Sequence, residues 1–169
     1  MSRRTASRAL IAVALSVSLA ACGSDDGADS PDSSSAVAAE VTSDLSEKPA
    51  VPGSDEPAPD ELVIDDVVEG NGAEAVAGST ADVKYVGAFY ESGEEFDSSW
   101  SVSPEETIAV PLGGGRVIPG FEQGIEGMKV GGRRTVTIPS DLGYGEQGQG
   151  PIPGGATLVF VLDLVEVTP

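Results

Sequence analysis

VIPGFEQGIEGMKVGGRRTVTIPSDLGYG, residues 117–145, places a short helix, a strand and a glycine-flanked tyrosine in one run, and the folded part of the chain is read outward from it. Pro119 stands where a first helical residue tolerates a missing N–H, and apolar Phe121, Ile125 and Met128 follow on one helical face. Gly120, Gly124 and Gly127 recur beside that face, and each glycine inside a helix costs roughly 1 kcal/mol relative to alanine. Such a helix would not hold alone. Close approach of a sheet is the expected compensation, with Gly131 and Gly132 ending the helix. Thr135–Ile138 then reads as a strand, and its turn, Pro139–Gly145, offers Tyr144 where an aromatic meets a ligand.

On the amino-terminal side, Leu62–Val68 reads as a strand followed by the turn residues Glu69-Gly70-Asn71-Gly72. Val83, Tyr85, Gly87 and Phe89 alternate with Lys84, Val86, Ala88 and Tyr90, a longer strand with one face inward. Glu91–Glu94 turns it back into Phe96-Asp97-Ser98-Ser99, and Ile108, Val110 and Leu112 alternate into another strand before three glycines. The last strand puts Leu158, Phe160, Leu162 and Leu164 on one face. The expected fold is α+β, an antiparallel sheet of about five strands curled around one short helix, within residues 59–169. About 110 residues suffice for a core but leave little burial to spare.

The front of the chain reads differently. Arg3, Arg4 and Arg8 precede the apolar run Ala9–Ala21, which ends in small residues before Cys22. That run of about 13 residues falls short of the roughly 20 that a membrane span needs, so residues 1–21 read as a secretory signal peptide. Leu19-Ala20-Ala21-Cys22 resembles the bacterial lipobox, which implies cleavage before Cys22 and its lipidation; the alternative is a free thiol after ordinary cleavage. Cys22 is the sole cysteine and has no disulfide partner within the chain. Ser2-Arg3-Arg4 faintly resembles a twin-arginine signal, so the export route stays open.

Residues 22–58 are mostly Ser, Asp, Ala, Pro and Glu, with too few large apolar side chains to offset the entropy of ordering. They are expected to form a lipid-anchored, disordered acidic linker whose charge run serves solvation or, alternatively, binding. Removing residues 1–21 takes away Arg3, Arg4 and Arg8 and no acid, moving the net charge from −19 to −22. Nucleic acid is therefore not an expected partner, since binding it begins with neutralising phosphates. Membrane association would come from the acyl chains, with the protein exported and held at the outer face of the cytoplasmic membrane. Histidine is absent, so a Ser-His-Asp triad and a His-ligated metal are both excluded.

Val83-Lys84-Tyr85-Val86-Gly87, Phe96-Asp97-Ser98-Ser99, Val117-Ile118-Pro119-Gly120-Phe121, Met128-Lys129-Val130-Gly131, Tyr144-Gly145 and Ala156-Thr157-Leu158-Val159-Phe160 stand in an order that resembles an FKBP-type peptidyl-prolyl isomerase, over about Leu62 to Val167. On spacing alone Phe121 and Phe160 read as core aromatics, Asp97 equally as a turn acid and Tyr144 equally as a surface tyrosine. The resemblance instead implies a pocket with Tyr85, Phe96, Asp97, Tyr144 and Phe160 as catalytic residues. It assigns substrate contacts to Ile108, Val117, Ile118, Phe121 and Ile152. Phe121 would floor the pocket where many family members carry tryptophan, Ile108 stands where an aromatic is common, and Ile152 would be the flap contact.

The resemblance implies no metal and no cofactor. It implies Xaa-Pro segments of unfolded or exported proteins as partners, a place for macrolide immunosuppressant-type ligands, and a monomer. The function expected is prolyl isomerisation in the folding of exported proteins. The alternatives are a module that binds proline motifs with little turnover, and an inert envelope spacer.

Overall fold

The computed structural model describes residues 35–169; Cys22 and the expected signal peptide, residues 1–21, lie outside the described residues. Helix α1 (Ala36–Glu40) precedes strands β1 (Val63–Val68), β2 (Thr80–Phe89), β3 (Glu95–Ser98) and β4 (Ile108–Pro111), helix α2 (Pro119–Ile125), and strands β5 (Arg133–Ile138) and β6 (Leu158–Thr168). The sheet runs β1-β5-β6-β2-β3, with six strands in place of the five or so expected, because β4 also pairs with β2. All the pairings are antiparallel. One edge of β2 meets β6 along its length, while the other is shared between β4 at Thr80–Val83 and β3 at Val86–Ala88. Register shifts at Asp82/Val83 and at Asp66/Val68 interrupt the ladders, as bulges that bend strands do.

The glycines of α2 behave as their spacing predicts at two positions. A Cβ on Gly124 would lie 2.6 Å from Val136 Cγ2, and one on Gly120 would meet Ile138 Cγ2 still closer, so the helix backbone rests directly on β5. Gly127 acts otherwise. The helix stops at Ile125, before the expected end at Gly131 and Gly132, and Gly127 takes the left-handed φ of +77° that turns the chain away. Phe121, Ile125 and Met128 join Val83, Val136, Ile138, Leu158, Phe160, Leu162 and Leu164 in the main core.

The linker expectation is corrected from residue 35 onward. Residues 35–54 pack over the sheet face opposite α2, where Val37, with Val51 beside it, meets Tyr90 and Val159 in a second apolar cluster. Arg133 holds this strap. Its side chain is fully buried, with Nε and Nη2 donating to the Asp163 carboxylate at 2.6 and 2.7 Å. Its remaining donors reach the backbone carbonyls of Thr42 (2.8 Å), Asp44 (3.0 Å) and Glu47 (3.1 Å). All five guanidinium N–H groups are thereby satisfied. Composition misses the strap because main-chain carbonyls and a few small apolar side chains hold it, and residue type does not reveal either. Among the described residues no helix is long and apolar enough to cross a membrane.

Breaking a buried ion pair from one side strands the other charge, at a cost of about 3–5 kcal/mol. Asp163→Ala is expected to lower the unfolding free energy by that amount in a denaturant titration and to open residues 35–54 to protease. A variant with the parental midpoint would show that the strap's carbonyls alone satisfy Arg133.

Candidate active site

A cavity of about 540 Å³ opens on the α2 side of the sheet, lined by side chains from β2, β3, β4, β6, α2 and two loops. Strand alternation turns Tyr85 of β2 and Phe160 of β6 to the same face as the core residues beside them. Because Pro119 starts the helix immediately after Ile118, Phe121 lies in its first turn and comes under the sheet. Phe121 and Phe160 meet edge to face at 5.0 Å and 90°. Tyr85 stands edge-on to Phe121 at 5.9 Å, and Phe96 to Phe160 at 5.7 Å. These are the separations and tilts that the ring quadrupoles favour. Gly87 makes room for them, since a Cβ there would lie 2.7 Å from Phe160 and 2.9 Å from Phe96.

The polar groups are few and placed. The Tyr85 hydroxyl donates to Asp97 Oδ2 at 2.7 Å, while Asp97 Oδ1 accepts from the Ser98 N–H at 2.9 Å. Burial, reinforced by the hydrogen bond to Asp97, pushes the Tyr85 phenol far above the usual tyrosine value. Burial, followed by the negative charge of Asp97, also raises that of Tyr144. The Ile118 carbonyl accepts from the Phe121 and Glu122 N–H groups, whereas the Ile118 N–H meets no acceptor among the described residues. The cavity thus combines an apolar floor, two protonated phenols and one unengaged backbone donor.

The structure brings Tyr85, Phe96, Asp97, Ile108, Val117, Ile118, Phe121, Tyr144 and Phe160 to this one cavity. Ile152 is not among the lining residues, which corrects the flap contact expected of it. Gln149 and Ile152 exchange backbone hydrogen bonds at 2.9 and 3.0 Å, and this tight turn sends the Ile152 side chain into the core while Gln149 lines the cavity. Arg116 and Gly143 also line it and were not singled out from sequence. Each precedes a predicted residue, Val117 or Tyr144, so adjacency was the available signal; for Gln149 it was its place in the same loop as Ile152, residues 146–153, which resembles the family's flap.

Residues 72–165 match the family model of the FKBP-type peptidyl-prolyl cis-trans isomerases. The chain belongs to this family. Among similar proteins, a probable FK506-binding protein of Corynebacterium glutamicum is 50% identical over 119 residues, 70% of this chain and 98% of the relative. The crystal structure of AtFKBP13 aligns at a TM-score of 0.59 with 34% identity, over 66% of this chain and 96% of that one. That of FkpA from Escherichia coli aligns at 0.58 with 37% identity over 64% of this chain, which spans about half, 48%, of FkpA.

The isomerase's cup is built from core residues, so substitutions at its floor act on the fold as well. Phe160 is 4% exposed. Phe160→Ala is expected to cost about 3–5 kcal/mol of stability, as buried phenylalanine truncations do. Tyr144→Phe removes one hydroxyl, and losing one hydrogen bond of about 0.5–1.5 kcal/mol should slow turnover by about two- to tenfold with the unfolding midpoint unchanged. Thermal melts and peptide isomerisation rates on both variants check the pair.

Proposed function

We propose that this FKBP-type isomerase catalyses rotation about Xaa-Pro bonds in exported proteins while anchored by lipid at the outer face of the cytoplasmic membrane. The observation that carries the catalytic part is the edge-to-face ring cup with protonated phenols at its rim. Prolyl isomerisation breaks no covalent bond. It meets a barrier of about 18–20 kcal/mol because resonance makes the amide C–N bond partly double. Uncatalysed, it takes tens to hundreds of seconds, slow enough to limit folding.

In this reading Phe121, Phe160, Phe96, Tyr85, Val117 and Ile108 bury the proline ring and draw the amide carbonyl out of water. Water stabilises the polar, planar resonance form, so its removal favours the twisted amide. The Ile118 N–H and the Tyr144 hydroxyl donate to substrate carbonyls. Asp97 fixes the Tyr85 hydroxyl and adds a local field at the rim. Acceleration follows if the cup binds the twisted amide better than either planar form. The same cup is proposed to take macrolides, as the FK506-binding name of the Corynebacterium glutamicum relative suggests.

No proton transfer enters this mechanism, and the phenols keep their protons over a wide range. Both tyrosines are raised above the ordinary value of about 10, so the protonated form is the one the fold favours. Their contribution is whole below about pH 10 and is lost only as pH climbs through the raised values. Isomerisation of an uncharged Xaa-Pro peptide is therefore expected to stay flat, within about twofold, from roughly pH 6 to 9, unlike the bell of an acid–base enzyme. A tenfold fall across that window, with the protein still folded, would replace desolvation by proton transfer.

The envelope location is supported by the leader-like residues 1–21 and by Cys22 at their boundary. Cys22→Ala is expected to shift the protein from the membrane pellet to the exported soluble fraction. Retention in the pellet after a carbonate wash would rule out anchoring through Cys22.

A further inference from the structure

Two charged side chains line the cup, Asp97 and Arg116, and only one is engaged. Asp97 accepts from the Tyr85 hydroxyl and the Ser98 N–H. Arg116 is exposed, and its guanidinium has no hydrogen-bond or ion-pair partner among the described residues. The acid tied to its loop is occupied elsewhere: Glu122 of α2 accepts from the Gly113 N–H at 2.6 Å and from the Gly115 N–H at 3.1 Å, one bond to each carboxylate oxygen. Those two bonds, with Gly115 in a left-handed turn (φ +60°), fix the backbone from which Arg116 projects. The result is a positioned, unpaired cation at the mouth of an apolar cup, in a chain whose net charge is −19.

We propose that Arg116 selects prolyl bonds flanked by an acidic side chain. The guanidinium fork matches a carboxylate with two parallel N–H donors, a geometry that lysine lacks. The surrounding negative charge works against acidic peptides at a distance, but it is screened beyond about 8 Å at physiological ionic strength. A contact at the cup's edge acts within that length, so a side chain that reaches the guanidinium feels the local cation. Gln149, also at the cavity, adds no charge, whereas Asp97 on the same lining opposes an acidic side chain, so the preference is confined to the peptide position that reaches Arg116. This assignment rests on the cup being the prolyl-binding site.

The test uses capped peptides that differ only in Glu, Gln or Lys, placed immediately before or immediately after proline, with exchange rates read by NMR. For the parent, kcat/KM is expected to favour Glu over Gln by about two- to fivefold in at least one position, the range of a single exposed ion pair. Arg116→Gln should bring that ratio to one or below, and Arg116→Glu should turn the preference toward a Lys peptide. Each variant's rate on its Gln peptide is the denominator, so a general loss of fold or turnover cancels. A parental ratio at or below one in both positions, or a preference that survives Arg116→Gln, overturns the assignment while leaving the isomerase reading intact. Absence of turnover on every peptide by the parent would overturn both.

Discussion

Two adjacent arginines on one central strand hold the layers of this protein together. Every residue of β5 is buried, and because successive side chains point to opposite faces, Arg133 and Arg134 leave the strand in opposite directions. Arg134 bridges the Asp66 carboxylate of β1, at 2.7 and 3.0 Å, to the Gly124 and Glu126 carbonyls at the end of α2. Arg133 joins Asp163 of β6 to the strap on the other face. A guanidinium in these places is weak support for net stability, since desolvating it offsets much of its attraction, but it makes a one-residue slip of β5 prohibitive. A slip would drive each charge into the opposite packing layer, away from its carboxylate and carbonyls.

The cup depends on that register. Val136 and Ile138 of β5 form the surface on which Gly124 and Gly120 rest, and the closeness of that contact sets how far Phe121 reaches under the sheet. Phe160 of β6 is paired with Val136 in the ladder, so the same strand places both rings of the central edge-to-face pair. Arg134 secures the far end of the helix at its last carbonyls, where a cation also meets the favourable end of the helix dipole. Rigid rings placed by sheet and helix suit a catalyst that works by desolvation and shape, since such a site must be formed before substrate arrives.

The rim is arranged differently, by loops and side-chain hydrogen bonds. Glu122 braces the turn that carries Arg116, the bond from Tyr85 orients Asp97, and the Gln149–Ile152 turn decides which side chain meets the cavity. These are short-range contacts on a preformed scaffold. They are where a fold that supplies one chemistry can vary which flanking residues it accepts.

From sequence alone, period-two alternation located β2 and β6 to within a few residues, and Pro119 with the Gly120 and Gly124 spacing located α2 and its contact with the sheet. Local pattern carries such information because one face of each element must be apolar. The family order of short motifs named the aromatic cup before any geometry was known. Tertiary structure decided the rest. A composition poor in large apolar residues concealed the strap at residues 35–54, since its partners are carbonyl groups every residue possesses, held by an arginine some ninety positions away. Gln149 and not Ile152 lines the cavity, since the turn that joins their backbones leaves Ile152 in the core. Arg116 has no partner among the described residues, while Glu122 and Asp97 accept hydrogen bonds from other groups. Local sequence reports which face of an element is buried; which donor meets which acceptor is settled only when distant segments are brought together.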